Sequence, residues 1–371
     1  MNSFYKWIFF FIGMIIIITV VIVKPYYLFV TKTLKVSPFQ VLLSLDGLKS
    51  YNNQVNFLLL GIAGGDHDGP ELSDSIMAAN YNLGTNQLTT ISIPRDIWSD
   101  TLQNKINSAF AYGGYAKNKS VFNPKDGLTL AKAEISAIVG MPVQYAGVID
   151  FNQFEAGINF LGGIDVKVET TFDDYAFPIP DEQIKDSSCG HFDAEIKTFT
   201  DSFPTDQEIW KYFPCRYKHV HFDKGTVHMD GTAALIFVRS RHATGQEGTD
   251  FAREQRQQKV IEAVKNKLID LAKAPDIKKY EELYKIFNQL IKRDISNQQM
   301  AIIIRKILFN KKLVQQKITL TEDLFINPDI SERYNNLWVL IPKYGSFSII
   351  HQYIKCYLDN KIDCGKLKNK G

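Results

Sequence analysis

The first hydrophobic feature of the chain is a long apolar run near its amino terminus. Residues 7–23 read WIFFFIGMIIIITVVIV and carry no charged side chain. A helix of this length is about 25 Å long, close to the hydrocarbon thickness of a bilayer. Aromatic residues flank the run, and no small-residue cleavage site follows it. The pattern predicts an uncleaved transmembrane helix at 7–23 after a short tail at 1–6, with a buried helix or a cleaved signal peptide as alternatives.

The next part of the chain changes to shorter periodic segments. Residues 24–50 predict a stalk and an entry helix, because Ser37 and Pro38 form a helix-start signal before FQVLLSL. Beyond them, segments that are continuously apolar, or that alternate apolar and polar residues, predict strands. These strands are residues 55–60, 75–82, 87–93, 143–149 and 164–168.

Helical periodicity separates several of these strands. It occurs at residues 104–112, 128–139 and 151–161, and a glycine, the usual helix stop, follows each segment at Gly113, Gly140 and Gly162. Strands mixed with helices of this length predict a sheet covered on both faces. We therefore expect an α/β fold, a three-layer α-β-α sandwich with a central mixed sheet of about five or more strands, in a domain over residues 51–345.

The second half of the domain is less regular. Residues 170–228 show no lasting periodicity and predict an inserted loop region. GTAALIFV, from residue 231, fits a short helix or a strand equally well, and helical patterns then continue to about residue 310. LWVLIP predicts a strand, and residues 346–371 predict a closing helix followed by a frayed tail over the last ten residues.

Composition and charge narrow the classes of partner. A hydrophobic content of 45% allows a large core, so a disordered chain is excluded. Lysine and arginine number 43 against 40 acidic residues, a formal net charge of +3, so the chain has no overall field for a polyanion. We expect no nucleic acid partner.

The cysteines bear on the compartment. All four follow the apolar run and divide into two plausible disulfides, Cys189 with Cys215 and Cys356 with Cys364, as an oxidising exterior favours. Reduced cysteines stay an alternative, and a zinc site with nearby histidines is disfavoured because the spacing is too wide. Lysines that follow the predicted anchor mildly contradict the positive-inside rule. We nevertheless expect a single-pass cell-membrane protein with most of its chain outside the cytoplasm.

A group of cationic side chains lies in ALIFVRSRHATGQEGTDFAREQRQQ, residues 234–258. A short loop separates two arginines that follow the apolar run from two more at the start of a helix, where free backbone N–H groups favour anions. Guanidinium groups form paired hydrogen bonds with phosphate oxygens, so a pyrophosphate is the simplest ligand. The alternative is a solvated face of ion pairs. The residues concerned are Arg239, Arg241, Asp250, Arg253, Arg256 and Gln257.

Two further segments carry candidate chemistry. TISIPRDIW ends a strand at Pro94 and presents Arg95 and Asp96 at its tip, where α/β sheets place their ligands, and Lys105 follows near a helix start. A glycine-rich loop over residues 58–77 carries several carboxylates, among them Asp66, Asp68 and Asp74, that suit a hard cation such as Mg²⁺. Structural ion pairs and an ordinary tight turn are the alternatives.

Together these segments resemble the LytR-CpsA-Psr family of cell-wall phosphotransferases. The resemblance covers about residues 52–272 and is carried by ordered motifs: VNFLLLGIAG, LSDSIM, TTISIPRD, NKINSAFAYGG, VIDFNQF, FLGGIDVKV, MDGTAALIFVRSRH and TDFAREQRQQ. It implies transfer of a glycopolymer from a polyprenyl diphosphate carrier to a peptidoglycan hydroxyl, with Mg²⁺ or Mn²⁺. A hydrolase acting on the same carrier, or a non-catalytic lipid-pyrophosphate-binding or regulatory protein, remains an alternative.

The resemblance also implies roles for individual residues. The pyrophosphate-binding arginines of the family match Arg95, Arg239, Arg241 and Arg253, its glutamine matches Gln257, its metal-associated aspartate matches Asp74, and Lys105 and Asp250 match motif positions. The chain departs from many members at Ala63, where they have a second metal-binding aspartate, and at Leu72, where they have an arginine. Either Asp66 or Asp68 supplies the missing carboxylate, or the metal is held more loosely.

Overall fold

The computed structural model describes most of the chain, as two units. The described residues are 23–43, 47–64, 69–118, 120–179, 183–202, 209–273, 276–309 and 313–369. The first compact unit comprises the described parts of Met1–Gln153 and Asp276–Gly371, and the second comprises those of Phe154–Pro275.

The strands of the described residues have the following bounds. In chain order they are β1 Gln54–Ile62, β2 Ser73–Asn82, β3 Gln87–Ile93, β4 Trp98–Ser99, β5 Asn104–Lys105, β6 Tyr145–Asp150, β7 Ile164–Val168, β8 Phe172–Pro178, β9 Tyr217–Phe222, β10 Gly225–Met229, β11 Ile291–Arg293, β12 Val314–Thr319, β13 Phe325–Ile326 and β14 Ile341–Pro342.

The helices are mostly short, and single turns of 3₁₀ helix connect some of them. The α-helices are α1 Lys24–Leu28, α2 Pro38–Leu43, α3 Ala109–Tyr115, α4 Pro124–Val139, α5 Phe151–Phe160, α6 Asp193–Ser202, α7 Ile209–Tyr212, α8 Gly231–Arg239, α9 Asp250–Lys273, α10 Ile277–Leu290, α11 Asn297–Phe309 and α12 Ser348–Leu358.

A six-stranded mixed sheet forms the centre of the first unit, which confirms the predicted α/β fold. Its order is β11-β6-β1-β2-β3-β12, with β1 parallel to β6, β3 parallel to β12, and the other neighbours antiparallel. Ile62 pairs with both Ser73 and Asp150, and Ile76 pairs with Ile93. The ends of β1, β3 and β6 therefore meet the start of β2 at one edge of the sheet.

Both faces of the sheet are covered, which explains why β1 is almost continuously apolar. Leu58 and Leu60 point into a core shared with α3, α4 and α12. Val55 and Phe57 face the other way, into a cluster that includes Ile303 of α11. The alternation follows from the two-residue period of a strand and gives the first unit its helix, sheet and helix layers.

The helix starts and stops agree partly with the sequence. Asn123 caps α4 by accepting a hydrogen bond from the Lys125 N–H, and Gly140 ends this helix with a left-handed φ of 73°, as predicted. Gly113 was expected to end a helix, but it lies inside α3. A Cβ atom there would come within 2.7 Å of the Asp126 carbonyl oxygen, so Gly113 allows α3 and α4 to pack closely.

The central sheet differs from the predicted one in three strands. The predicted strand at 164–168 exists as β7, but it pairs with β10 in a separate two-stranded sheet of the second unit. The strands β11 and β12, which the sequence pattern missed, occupy the two edges of the central sheet. Both are short, and β11 follows a helix directly, so neither has a hydrophobic period of its own.

The second unit gives regular structure to the predicted loop insertion. Strands β8 and β9 pair as an antiparallel ladder across residues 170–228, and Phe172 and Phe222 pack against Phe237 of α8. The ambiguous segment after Asp230 is the helix α8, which Asp230 caps by accepting from the Ala233 N–H at 2.8 Å. Of the two alternatives for this segment the helix is therefore correct, and Arg239 is its last residue.

The cysteines pair as the sequence suggested. The sulfur atoms of Cys189 and Cys215 lie at bonding distance, and so do those of Cys356 and Cys364, with a Cα–Cα separation of 5.6 Å in each pair. The second pair links α12 to a 3₁₀ helix at Cys364–Asn369, so the frayed tail predicted from residue 362 is ordered to residue 369. The predicted strand at LWVLIP shrinks to β14 and one bridge at Leu340.

The predicted anchor falls almost entirely outside the described residues, which begin at Val23. Within the part of the chain that is described, no helix combines the length and the apolar character that crossing a bilayer requires. The stalk and entry helix predicted for 24–50 correspond to α1, a π-helical turn at Phe29–Thr33, and α2.

A charged cluster holds the β8–β9 ladder on its exposed side. Asp173 Oδ1 lies 2.7 Å from His219 Nε2 and 2.8 Å from His221 Nδ1, and His221 Nε2 lies 3.2 Å from Asp223 Oδ1. The hydrogen bond to Asp173, and then that to Asp223, raises the pKa of His221, while the two histidines lower the pKa of Asp173. The protonated form of His221 is therefore the one that stabilises the folded ladder.

This cluster predicts a pH-dependent contribution to stability. Because the folded-state pKa of His221 is raised, its contribution is complete below the unfolded value of about 6.5 and is lost as pH rises through the folded pKa. We expect an NMR titration to place the His221 pKa above 6.5 and to return it toward 6.5 in Asp173→Asn. Asp165→Asn, which removes the carboxylate paired with His228, should leave it unchanged. Equal His221 values in the wild type and Asp173→Asn would contradict the assignment.

Candidate functional site

Four ionised side chains form a chain of alternating charge at the sheet edge of the first unit. Arg95 Nη1 donates to Asp74 Oδ1, and Arg95 Nε lies 3.6 Å from Asp96 Oδ2. Lys105 Nζ in turn donates to Asp96 Oδ1 at 2.7 Å. These side chains retain 20–35% of their exposure, so they are partly shielded but can be reached by a ligand. We call Asp74, Arg95, Asp96 and Lys105 the edge cluster.

The backbone explains why these residues meet. Pro94 follows the last residue of β3, so the chain leaves the sheet there and turns back through β4 and β5. The turn is fixed by hydrogen bonds from the Asn107 N–H to the Arg95 carbonyl at 3.2 Å and from the Ile106 N–H to the Ile97 carbonyl at 2.8 Å. The structure thus brings the predicted residues Asp74, Arg95 and Lys105 together.

The Nε atom of Arg95 makes this cluster electrostatically incomplete. It is buried and has no hydrogen-bond partner among the described residues, since Asp96 lies just beyond hydrogen-bond distance. An unsatisfied buried donor on a charged group is unfavourable, and a ligand oxygen can satisfy it. The edge cluster has two positive and two negative groups, so an anion must compete with Asp74 for the Arg95 guanidinium.

Other carboxylates of the described residues lie along the same edge. Asp150, at the end of β6, accepts a hydrogen bond from the Gln153 N–H at 2.8 Å and contacts Gly64 as the chain leaves β1. Asp150 was not among the predicted site residues, although it directly follows the apolar strand YAGVI. Glu71 accepts a hydrogen bond from Tyr115 at 3.2 Å. The candidate metal ligands Asp66 and Asp68 lie outside the described residues.

These carboxylates do not assemble into a complete metal centre. In the described ranges, no group of three or more histidine, cysteine, aspartate or glutamate side chains has the geometry to hold a metal ion. Asp74, the predicted metal ligand, is bound to Arg95.

The second unit places the other predicted cations on one continuous stretch of chain. Arg239 ends α8, Arg241 lies on the exposed loop that follows, and Arg253 and Gln257 lie in the first two turns of α9, one helical turn apart. Thr249 Oγ1 accepts from the Ala252 N–H at 3.2 Å and caps α9. Asp250 is the first residue of α9, but its side chain is not among those described.

Arg256 has a different environment from the other arginines. Its side chain is only 4% exposed, and it donates to the carbonyl oxygens of Phe237, Ser240 and Glu247 as well as to the Glu247 carboxylate. Its guanidinium also lies 4.9 Å from the centre of the Phe172 ring. Burial lowers the pKa of Arg256, although the guanidinium stays charged. These contacts favour a structural role for Arg256, which is to hold the loop between α8 and α9. They do not favour the predicted role in contacting substrate.

A buried carboxylate also holds the loop between α8 and α9, which carries Arg241. Asp174 is fully buried and accepts hydrogen bonds from the Ala176 N–H at 3.0 Å and the His242 N–H at 3.3 Å. The Asp173 carbonyl accepts from the Thr244 N–H at 2.7 Å. The β8 strand of the insertion therefore fixes the backbone on which Arg241 is carried. Sequence reasoning missed this role because DD in an irregular segment is typical of any exposed turn.

The family assignment follows from the sequence as a whole. The sequence model of the LytR_cpsA_psr family matches residues 31–347, most of the chain. The chain belongs to the LytR-CpsA-Psr family. The resemblance carried by the sequence motifs is thereby confirmed, and it extends beyond them to include β12 and the segment before α12.

Proteins of known name resemble the chain in sequence or in fold. The polyisoprenyl-teichoic acid–peptidoglycan teichoic acid transferase TagU of Bacillus mycoides (strain KBAB4) is 25% identical over 257 residues, which cover 68% of this chain and 64% of TagU. The match therefore spans less than two thirds of that relative. TagV of B. subtilis shares the fold at 20% identity with a TM-score of 0.51, covering 84% of this chain and 99% of TagV. TagT bound to LI-WTA also shares the fold, at 20% identity and with a TM-score of 0.50. The match covers 85% of this chain and 96% of TagT.

Two arginines of this LytR-CpsA-Psr chain allow the structural and surface roles to be separated. Arg256→Ala leaves three carbonyls and Glu247 without their buried donor, so we expect a loss of about 3 kcal/mol in the free energy of unfolding. Arg241→Ala removes an exposed side chain of the same loop and should leave stability unchanged. Urea unfolding followed by circular dichroism measures both. Equal stability of the two variants would show that Arg256 does not hold the loop.

Proposed function

We propose that this protein is a membrane-anchored, extracytoplasmic phosphotransferase. It moves a glycopolymer from a polyprenyl diphosphate carrier to a hydroxyl group of the peptidoglycan. Membership of the LytR-CpsA-Psr family and the similarity to TagU of Bacillus mycoides support this activity. The observation that carries the proposal is the edge cluster, in which Arg95 and Lys105 lie together at the carboxyl edge of a covered α/β sheet, where this fold class binds ligands.

The cluster suits the cleavage of a phosphoanhydride. In the proposed reaction the oxygen of the acceptor hydroxyl forms a bond to the phosphorus that carries the glycopolymer, and the hydroxyl proton is lost to water. The bond from that phosphorus to the oxygen of the carrier phosphate breaks, and the carrier leaves as polyprenyl phosphate. Negative charge develops on the leaving phosphate, and positioned guanidinium and ammonium groups stabilise it. Arg95 is held by a fixed turn, and its Nε has no hydrogen-bond partner in the part of the chain that the structure describes, so this donor can bind a phosphate oxygen with little rearrangement.

A divalent cation, Mg²⁺ or Mn²⁺, is part of the same proposal. Mg²⁺ in phosphoryl-transfer sites is typically bound by one or two carboxylates, with the other positions taken by water and substrate phosphates. Asp74 fits as one such carboxylate, and Asp66 or Asp68 is the candidate for the second. The ion would neutralise phosphate charge. With Asp74 turned toward it, Arg95 would be released to bind the substrate.

The proposed location rests on the sequence and on the cysteines. Residues 7–23 provide the apolar run for a single anchor. Two cysteine pairs at bonding distance fit an oxidising exterior better than the cytoplasm. With the bulk of the chain on the outer side of the membrane, the anchor keeps the catalytic residues beside a lipid carrier whose headgroup is exposed on that side.

The activity is tested with the full-length protein, a polyprenyl diphosphate-linked glycopolymer and a peptidoglycan acceptor. Formation of a polymer–peptidoglycan product supports the transferase. Release of free, phosphate-terminated polymer would support the hydrolase instead, and tight carrier binding without turnover would support a binding or regulatory protein. Mass spectrometry of the products distinguishes the three outcomes.

The arginines give the sharpest mutational test of the transferase. Arg95→Ala removes the guanidinium of the edge cluster, and Arg253→Ala removes one that the family resemblance assigns to pyrophosphate. Each should lower kcat at least about a hundred-fold, the usual loss when a donor to a developing anion is removed. Arg216→Ala, an exposed arginine of the second unit, is the matched control. Wild-type turnover in a folded Arg95→Ala or Arg253→Ala protein would rule out that residue.

The proposed metal site predicts a change in divalent-ion dependence. Asp74→Ala removes one carboxylate ligand, so we expect the activation seen on titrating Mg²⁺ or Mn²⁺ to be lost or to move to much higher concentration. Asp126→Ala, which removes a partly buried carboxylate bound to Lys117, serves as control. A titration curve in Asp74→Ala that coincides with the wild-type curve would remove Asp74 from the metal site.

A further inference from the structure

A large aromatic side chain lies beside the edge cluster and has no role in the core. Trp338 is 47% exposed, although its neighbours Val339 and Leu340 are buried. Lys105 Nζ, which binds Asp96, lies 5.9 Å from the centre of the Trp338 ring. The indole is therefore close enough to Lys105 for one sugar ring to contact both. The proposed reaction assigns the Lys105 cation to a phosphate.

Backbone hydrogen bonds hold the segment that carries Trp338 close to the turn after β3. The Leu340 N–H donates to the Asp96 carbonyl, and the Trp98 N–H donates to the Leu340 carbonyl, both at 2.9 Å. Val339 is 1% exposed and packs with Trp98 and Tyr334. Val339 and Leu340 are both buried at this point, while the Trp338 side chain that precedes them stays exposed.

The indole is also held in orientation. With the Asn327 amide oxygen facing the ring, it accepts a hydrogen bond from Trp338 Nε1, while the amide nitrogen donates to the Val339 carbonyl at 3.2 Å. A tryptophan has only two side-chain torsions, so a single hydrogen bond at Nε1 leaves it little freedom. Trp338 is thus a rigid, exposed, apolar surface next to an ammonium group.

We propose that Trp338 is a stacking platform for a pyranose ring of the glycan substrate. This inference rests on the proposed phosphotransferase function and adds a specificity-determining residue to it. The C–H face of a pyranose is apolar and carries partial positive charge, which matches the negative face of an indole. Its hydroxyl or phosphate substituents lie at the ring edge, where Lys105 can donate to them.

The chemistry of the surroundings favours a sugar over a lipid tail. An isolated exposed apolar residue is ordinary on a protein surface, but this one is fixed by Asn327 and lies beside Lys105 and Asp96. A prenyl chain would have to desolvate those charges without hydrogen-bonding them, which is costly. A sugar ring satisfies both parts, because it stacks through its C–H face and hydrogen-bonds at its edge.

The ring has two possible sources that share this chemistry. It can be the first sugar of the carrier-linked glycopolymer, attached directly to the diphosphate, or a sugar of the peptidoglycan acceptor. Steady-state kinetics separate them, because loss of the platform raises KM for whichever substrate carries the ring. A contact made equally in the ground state and the transition state changes KM and leaves kcat nearly unchanged.

The test compares Trp338→Ala with Trp338→Phe in the full-length protein. We expect Trp338→Ala to raise KM for one of the two substrates about ten-fold with little change in kcat, and Trp338→Phe to retain most of the affinity because it keeps an aromatic face. Tyr51→Ala is the matched control, since Tyr51 is 51% exposed and precedes β1 at the opposite edge of the sheet. Unfolding temperatures of all three variants report on folding.

Binding measured without turnover keeps this inference separate from the proposed function. Isothermal titration calorimetry uses a short-chain prenyl diphosphate disaccharide and a peptidoglycan tetrasaccharide as probes. If the wild-type protein transfers nothing but binds either probe, and Trp338→Ala weakens that binding, the transferase is refuted and the platform is retained. Unchanged KM values and affinities in a folded Trp338→Ala protein would overturn the platform, as would a Trp338→Phe protein as impaired as Trp338→Ala.

Discussion

The edge cluster depends on one constraint, the fixed exit of the chain from β3. Pro94 ends the strand, and backbone hydrogen bonds to the carbonyls of Arg95, Asp96 and Ile97 fix the turn. Two basic and two acidic side chains can then lie within ion-pair distance of one another, partly shielded from water. Because their charges cancel, the free protein keeps these groups in place without strong repulsion. An anion that binds there must exchange with a carboxylate, so geometry, and not net charge, decides which anion fits.

The second unit follows the same physical pattern with different parts. Arg256 and Asp174 are both buried, and each forms hydrogen bonds with backbone groups of the loop between α8 and α9. Buried charges of this kind define one loop conformation, since any other arrangement would leave them unpaired. Arg241 is carried by that loop and remains exposed. The charged residues of this stretch therefore divide into those that fix the backbone and those that remain available to a ligand.

The aromatic and apolar residues around the edge cluster extend this division. Val339 and Trp98 belong to a small core that anchors the segment before α12, and Trp338 is the residue that this anchoring turns outward. In the sequence, LWVLIP is a uniform apolar run, which predicted a strand and nothing else. Only the backbone pairing of Leu340 with the turn after β3 distinguishes the exposed indole from its buried neighbours.

The sequence by itself determined the parts of this protein that depend on local order. Apolar period gave β1, β2, β3 and β6, glycine marked the end of α4, and the motif order identified the LytR-CpsA-Psr family. Tertiary structure decided what depends on distant neighbours: the pairing of β7 outside the central sheet, the edge strands β11 and β12, the burial of Arg256, and the position of Trp338. An arginine has the same local signal whether it is exposed or buried. Its environment is set by residues that pack against it from elsewhere in the chain, and a single sequence does not encode those contacts locally.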